Sequence, residues 1–233
     1  MNIKILYDNN ARKGFACGWG FAALIDNDTL FDTGENAASL LANMQAFGIA
    51  PEEISRVVLS HEDRDHVGGI AVLEQCGSVN VYVPAGASRS LKEDIKSLNP
   101  NASIFEVVYD TTIGANKFVT ATLGQKKKEI SLATRTNKGL VLMTGCAHPG
   151  LDVIMEAVRA FGDVHAVVGG FHGFKQLKLL ADVPVIIPCH CTKNQREILD
   201  MYPEQAHVVA AGTEIRIGEN NGAIPEAAVR KQV

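Results

Sequence analysis

The residues best suited to chemistry occupy one short segment, residues 60–69, which reads SHEDRDHVGG. Four potential metal ligands fall within six residues of it: His61, Asp63, Asp65 and His66. They follow the apolar run 56–59, which is typical of a buried strand, so one strand end would deliver all four side chains to a tight loop. Imidazole nitrogens and carboxylate oxygens are protein ligands of zinc, manganese and iron. A solvated loop would explain one such residue, whereas four together predict a metal site.

Histidines elsewhere in the chain also follow predicted strands. Of the seven histidines, five lie just past the carboxyl end of an apolar run: His61, His66, His148, His172 and His190. Functional residues gather on loops at strand ends, where a rigid sheet holds them, so this placement indicates a shared site. His165 and His207 begin apolar runs instead, and we interpret them as structural or surface residues.

Hydrophobic patterns define the elements that must position these residues. Apolar or alternating runs predict strands at 3–7, 20–25, 29–32, 56–59, 79–83, 103–108, 117–123, 129–134, 139–144, 164–168, 184–187, 207–210 and 214–217. Helical periodicity predicts helices at 36–47, 68–75, 88–98, 150–161 and 193–201, with Ser88 and Thr192 as N-caps. Because both halves of the chain mix the two kinds of element, we expect an α/β fold of two sheets packed face to face with helices outside. No linker divides the chain, which predicts one domain over residues 1–233.

Composition restricts the classes of function. The chain has 233 residues, 22 of them basic and 26 acidic, and the interspersed charges argue against a nucleic-acid partner. No run approaches transmembrane length and the N-terminus reads as a strand, so we expect neither a membrane partner nor a signal peptide. Five cysteines in an irregular pattern favour reduced thiols and a cytoplasmic location. The expected partner is a small-molecule substrate, and the oligomeric state is left open.

The order of these motifs resembles that of the metallo-β-lactamase superfamily along nearly the whole chain. Its strand-end aspartate matches Asp32, its His-x-His-x-Asp-His motif matches residues 61–66, and its later histidines match His148 and His190. One branch is more similar still, the one named after 7,8-dihydropterin-6-methyl-4-(β-D-ribofuranosyl)-aminobenzene-5′-phosphate synthase. That closer likeness rests on five short motifs: Asp8-Asn9, Trp19-Gly20-Phe21, Thr144-Gly145-Cys146-Ala147-His148, Gly169-Gly170-Phe171-His172 and Cys189-His190-Cys191-Thr192.

The resemblance implies a fold and a set of metal ligands. The fold would be a four-layer αββα sandwich, with one or two divalent transition-metal ions (zinc, manganese or iron) at one edge. The ligands would form two sets, namely His61, Asp63 and His148 for the first ion, and Asp65, His66 and His190 for the second. Asp32 would brace the metal loops through hydrogen bonds, a role that affects metal affinity.

The chain departs from the superfamily pattern at two places. Asp63 stands where histidine is usual, and this anionic ligand favours manganese or iron over zinc. The bridging aspartate expected after the run 164–168 is missing, and Gly169-Gly170 occupies its place. We expect His172 to fill the gap, either as a ligand of the second ion or as an acid/base group above the metals.

Other residues near these motifs have simpler interpretations. Small buried side chains would explain the cysteines that flank the later histidines: Cys146, Cys189 and Cys191. A solvated hairpin tip would explain the charge run Lys126-Lys127-Lys128. Trp19 and Phe171 offer stacking surfaces for a ligand, although core packing explains each nearly as well.

Three functions are consistent with this sequence. The first is a metal-dependent hydrolase whose metal-bound water attacks a small metabolite at an ester, phosphoester or lactam centre, with Asp65 orienting or deprotonating that water. The second is a synthase-like transferase acting on a pterin and a phosphorylated ribose, which rests on the branch resemblance alone. The third is a non-catalytic metal or ligand sensor with a degenerate site, for which Asp63 and the missing bridging aspartate argue.

Overall fold

The computed structural model describes residues 1–218 of the chain, and its first β-sheet carries half of the predicted site. This sheet contains β1 (Asn2–Tyr7), β2 (Ala22–Ile25), β3 (Thr29–Phe31), β4 (Arg56–Val58), β5 (Asn80–Pro84), β6 (Ser103–Val107) and β13 (Glu214–Arg216). Its strand order is β13-β1-β2-β3-β4-β5-β6. The strands from β3 to β6 run parallel to one another, so their carboxyl ends meet at one edge.

The second sheet carries the remaining predicted site residues. It contains β7 (Thr111–Thr112), β8 (Lys117–Val119), β9 (Leu132–Thr136), β10 (Gly139–Thr144), β11 (Val164–Gly170) and β12 (Val185–Cys189). Its order is β12-β11-β10-β9-β8-β7, and β10, β11 and β12 are mutually parallel. These three strands therefore also end together at one edge.

Three apolar clusters hold the layers together, because every strand of a sheet covered on both faces must bury both sets of side chains. The central cluster lies between the sheets and includes Phe31, Val141 and Val168. The outer clusters pack helices against the sheets: α1 (Ala37–Ala46) and α3 (Arg89–Leu98) against the first, and α4 (Leu151–Arg159) and α5 (Gln195–Met201) against the second. The predicted αββα sandwich is confirmed.

Several predicted elements differ from those in the structure. Residues 207–210 form no strand, since the chain beside β12 makes only an isolated bridge between Ile186 and Ala206. Thr192 does not cap α5, because its hydroxyl donates to the carbonyl oxygen of Cys189 and accepts from the Phe171 N–H. The predicted helix 68–75 is a 3-10 helix at Ile70–Gln75, and a short α-helix that was not predicted, α2 (Arg64–Val67), precedes it. Ser88 does cap α3, accepting from the Leu91 N–H.

The loops that follow the parallel strands meet at one edge of the sandwich. Asp32 follows β3, and residues 59–66 follow β4; from the other sheet, residues 145–148 follow β10 and His190 follows β12. Four residues of these loops adopt positive φ angles, a conformation that tight functional loops often require: Asp32, Ala147, His172 and His190. No helix within residues 1–218 is both long and apolar enough to cross a membrane.

Candidate metal centre

Asp32 fixes the loop that carries the first motif. Its side chain is fully buried and accepts hydrogen bonds from both the N–H and the hydroxyl of Ser60, each at 2.7 Å. The same carboxylate lies 2.7 Å from Nδ1 of His66. The backbone of His66 is held in turn, because its carbonyl oxygen accepts from the N–H and hydroxyl of Thr33. Residues 60–66 are thereby fixed to the end of β3.

Glu129 plays the equivalent part for His148. This glutamate is 1% exposed, and it accepts from the backbone N–H groups of Cys146, Ala147 and His148 at 2.9–3.0 Å. Its Oε2 also lies 3.1 Å from Nδ1 of the His148 ring. Burial by itself would raise the pKa of Glu129. The pKa is nevertheless lowered to about 2, because the His148 ring, the nearby His61 and the backbone N–H groups all stabilise the carboxylate. A buried anion therefore organises the whole loop after β10.

Asn9 and Asp8 hold His190. The Asn9 side chain lies with Oδ1 3.0 Å from Nδ1 of His190, while its amide nitrogen donates to the His190 carbonyl oxygen. The Asp8 carboxylate accepts from the His190 backbone N–H, and burial raises the pKa of that acid to about 6. The side chain of His61 is held more simply, with Nδ1 2.9 Å from the hydroxyl of Ser60.

All four rings consequently share one arrangement. Nδ1 of His61, His66, His148 and His190 is held by a neighbouring oxygen, which leaves Nε2 for another partner. Such outer partners orient histidines that bind metals and fix their tautomers. The rings lie close together, with centroid separations of 4.2 Å for His61 and His66 and 4.7 Å for His61 and His148. His66 and His190 are separated by 5.0 Å.

The two carboxylates lie beside different histidine pairs. Oδ2 of Asp63 lies 3.5 Å from Nε2 of His61 and 4.0 Å from Nε2 of His148. Oδ2 of Asp65 lies 3.8 Å from Nε2 of His66 and 3.0 Å from Nε2 of His190. Tetrahedral ligands about 2.1 Å from a zinc ion lie ~3.4 Å from one another. These separations fit one ion in each set.

Two features of these atoms call for a cation. Nε2 of His61 is buried and has no hydrogen-bond partner within residues 1–218, although most buried polar atoms in proteins have one. In the neutral His190 ring, Nδ1 donates its proton to Oδ1 of Asn9, so Nε2 carries a lone pair. That lone pair faces the Asp65 carboxylate, and two hydrogen-bond acceptors therefore lie next to each other. Burial, together with the nearby His66, lowers the pKa of His190 to about 4, which keeps that ring neutral. The residues present fit divalent metal ions.

His172 and Asp63 lie at the outer side of the site. The exposed ring of His172 lies 5.1 Å from that of His148, a residue of the first set, and its pKa is lowered by burial and by His148. Asp63 forms a close ion pair with Lys127, and the neighbouring His61 ring is the main cause that lowers the pKa of the carboxylate. The run Lys126–Lys128 is a hairpin tip as predicted, but it leans over the site rather than into solvent alone.

Cys146 is buried, as predicted, but it belongs to none of the three apolar clusters. Its sulfur lies 3.2 Å from Nε2 of His66 and within 4.8 Å of donor atoms in both histidine pairs. Cys189 does match the prediction, being 1% exposed within the central core. Phe171 is likewise a core residue, at 1% exposed, whereas Trp19 is half exposed and packs 4.7 Å from the His190 ring.

Two contributors were missed in the sequence. Glu129 begins a predicted strand, where a glutamate gives the same signal as a surface residue, and only the packing of β9 against β10 brings it to His148. The sequence interpretation places Cys146 among small buried side chains, although it lies only two residues before the predicted ligand His148. That spacing was the available signal.

Comparisons with known proteins bear on the family and the fold of this chain. The sequence profile of a family described as the metallo-beta-lactamase superfamily matches residues 22–184. The 7,8-dihydropterin-6-methyl-4-(beta-D-ribofuranosyl)-aminobenzene-5′-phosphate synthase of Methanocaldococcus jannaschii is 28% identical, over 80% of this chain and 83% of that protein. Tm1679, a solved metal-dependent hydrolase of the beta-lactamase superfamily, is 25% identical with a TM-score of 0.78, covering 94% of this chain and 100% of its own. Zinc-bound PqqB from Methylobacterium extorquens shares the fold, with 13% identity, a TM-score of 0.61 and coverage of 93% and 100%.

Proposed function

This chain belongs to the metallo-β-lactamase superfamily, and from that premise we propose that it is a metal-dependent hydrolase acting on an ester or phosphoester bond of a small anionic metabolite. The observation that carries the proposal is the convergence of four histidine rings, each held at Nδ1, with the carboxylates of Asp63 and Asp65. Divalent ions bound there would polarise the scissile bond and make water a nucleophile near neutral pH.

Two residues beside the metal site, Asp65 and His172, would carry out the proton transfers. Asp65 has a side chain 19% exposed and lies against His66 and His190, so it can accept a proton from the attacking water or hold that water in line. His172, with its exposed ring beside His148, can donate a proton to the leaving group. Burial and the neighbouring His148 lower the pKa of His172, which favours the neutral ring, so the ring would first take up a proton from water and then pass it to the leaving group.

The cavity next to the site supports an anionic substrate. It has a volume of ≈ 230 Å³, and its lining joins His61 and Asp63 to the three consecutive lysines Lys126–Lys128. The Lys128 ammonium reaches the Ala85 carbonyl oxygen, while Lys127 pairs with Asp63. Ammonium groups bind phosphate oxygens as point charges, so this wall favours a phosphorylated or carboxylated substrate over a neutral one.

The first experiment reconstitutes the metal-free protein with zinc, manganese or iron and measures cleavage of phosphomonoesters, phosphodiesters, lactones and lactams. We expect turnover of at least one ester class by the metal-loaded protein and none by His61→Ala. The matched control is His165→Ala, which removes a histidine from β11 at the far end of the strand and should leave activity unchanged. A fully loaded protein with no turnover on any class would instead favour the sensor hypothesis.

The substrate charge is tested at the lysine wall. Lys127→Ala should raise KM for a phosphoester while changing KM for a neutral lactone little, because only the anion loses an ionic partner. Lys138→Ala, in the turn between β9 and β10, is the matched control. Equal effects of Lys127→Ala on charged and neutral substrates would argue against an anionic substrate.

The synthase-like alternative has one observation in its favour. The Methanocaldococcus jannaschii relative, which is named as a synthase, matches this chain over most of both sequences. In that case the same ions and lysines would serve a phosphorylated ribose donor and a pterin acceptor. Incubation with both compounds and detection of the pterin product by fluorescence separates this activity from hydrolysis.

A further inference from the structure

The middle of the site is occupied by sulfur. Cys146 is 4% exposed, and its Sγ lies within 4.8 Å of the donor atoms of His61 and His148 and, in a second group, of His66 and His190. The distance from Sγ to Nε2 of His66 is 3.2 Å. Among the residues that the structure describes, Cys146 alone is common to both of these groups.

Cys146 is oriented by the same anion that orients His148. Its N–H donates to Oε1 of Glu129 at 3.0 Å, and the next two N–H groups of the loop donate to the same carboxylate. Ala147, between the two, has a φ of 55°. Glu129 thus positions the thiol and the imidazole together.

The usual place for a bridging ligand is closed to every side chain. A Cβ atom on Gly170 would lie 2.4 Å from the Gly145 carbonyl oxygen and 2.6 Å from the sulfur of Cys191. A Cβ on Gly169 would lie 2.0 Å from the carbonyl oxygen of Thr144. The end of β11 therefore approaches the loop after β10 as bare backbone, and the thiol of that loop occupies the middle of the site.

A second observation points to a ligand at this place. His61 is 1% exposed, and its Nε2, which has no hydrogen-bond partner within the described part of the chain, belongs to the group that contains Cys146. We propose that the Cys146 thiolate bridges the two metal ions, taking the position that Gly169 and Gly170 leave without a carboxylate. Binding releases the thiol proton to solvent and forms two metal–sulfur bonds.

This ligand changes the expected metal. Asp63 by itself favours a hard ion, but a thiolate is a soft ligand that selects zinc over manganese. The bridging proposal therefore predicts that the protein retains zinc or cobalt in preference to manganese. It depends on the metal-binding part of the proposed function and is independent of the substrate.

The experiment uses cobalt in place of zinc and records sulfur-to-cobalt charge-transfer absorption in the near ultraviolet. We expect this absorption in the wild-type protein with two cobalt ions per chain, and its loss in Cys146→Ser together with at least a tenfold weaker second ion. Cys191→Ser, which alters the other cysteine beside the site, and the distant Cys76→Ser should keep the absorption. Its retention in Cys146→Ser would overturn the assignment.

Cadmium NMR of the wild-type protein gives an answer that does not depend on the folding of a variant. Two cadmium resonances, each shifted by one sulfur, are the expected result for a bridge. One shifted and one unshifted resonance would overturn the bridge, and two unshifted resonances would overturn sulfur ligation while leaving the hydrolase proposal intact. A protein that binds no cadmium, zinc or cobalt would overturn both proposals.

Discussion

At the scale of single residues, the site depends on anions that never face the substrate. Asp32 and Glu129 are both buried, and each ties a histidine ring to the backbone of the loop that carries it. Asn9 does the same for His190 without a charge. Because outer partners of this kind typically alter metal affinity 10- to 100-fold, the substitutions below should act through metal binding.

Replacing Glu129 with Gln should weaken the first ion. A glutamine offers one oxygen to four donors, and its amide group would face N–H groups of the loop. We expect metal affinity to fall about 10- to 100-fold, measured by competition with a chelating dye. Glu156→Gln, an exposed change on α4, is the control and should have no effect. Equal affinities of the two variants would show that Glu129 is dispensable.

The same variant tests the ionisation of Glu129 in the metal-free protein. The folded-state pKa of about 2 lies below the ordinary value of about 4.5, so the carboxylate stabilises the fold above pH 4.5 and this stabilisation is lost as pH falls toward 2. The wild type should exceed Glu129→Gln in free energy of unfolding by a constant amount from pH 8 to 5. That difference should shrink in more acidic solution, by on the order of 3 kcal/mol in total. Urea unfolding at each pH measures it, and a difference that grows with acidity would contradict the assignment.

Asp32→Asn should affect the second ion most. The amide would keep an acceptor for Ser60 but would turn a donor toward Nδ1 of His66, which forces the proton onto Nε2 and blocks a metal bond. We expect occupancy of one ion to fall ~10-fold or more, as measured by elemental analysis after dialysis against limiting zinc. Asp26→Asn is the matched control, since Asp26 also has a positive φ but lies away from the site. Loss of both ions in equal measure would argue against a role specific to His66.

At the scale of the elements, close approach of β11 to β10 shapes the site. The pair Gly169-Gly170 ends β11, and the Gly170 N–H donates to the Gly145 carbonyl oxygen at 3.1 Å. The sequence predicted the strand but ended it at residue 168, because two glycines are typical of a loop. Parallel pairing with β12 carries the strand through both glycines. The end of β11 therefore lacks the aspartate and also lacks the space for any side chain.

Gly170→Ala should destabilise the fold for this reason. The added methyl would lie 2.4 Å from a backbone oxygen that pairing with β10 holds in place, and overpacking of this kind costs about 1–3 kcal/mol. Gly173→Ala is the control, since its Cβ would meet no atom within 4 Å. Denaturant unfolding of both metal-free variants measures the difference. A Gly170→Ala protein as stable as Gly173→Ala would show that the two loops can move apart.

At the scale of the whole molecule, the ions would join two sheets. Residues 61–66 follow a strand of the first sheet, whereas Cys146, His148 and His190 follow strands of the second. A ligand that binds only the folded state stabilises it, by about 2.7 kcal/mol at 100 times its dissociation constant. Metal should therefore raise the unfolding temperature of this protein.

His148→Ala tests the coupling between the sheets. The variant should fold, because the three apolar clusters do not contain His148, but it should lose most of the stabilisation by zinc and all hydrolysis. Differential scanning calorimetry with zinc and with a chelator measures the gain for each protein, and His207→Ala should retain the wild-type gain. Unfolding of metal-free His148→Ala at a much lower temperature would identify His148 as a structural residue instead.

The sequence by itself determined the local features of this protein. Hydrophobic periods located most strands and helices, and the spacing of His61, Asp63, Asp65 and His66 identified potential ligands, because both signals arise between residues close in the chain. Tertiary structure decided the features that depend on contacts between distant segments of the chain. Glu129 reaches His148 because β9 pairs with β10, the lysines of residues 126–128 reach Asp63 through a hairpin, and Cys146 reaches His66 because the two sheets meet at one edge. A glutamate, a lysine or a cysteine gives the same local signal at the surface, in the core or in a metal centre, so only the packing of distant segments distinguishes these roles.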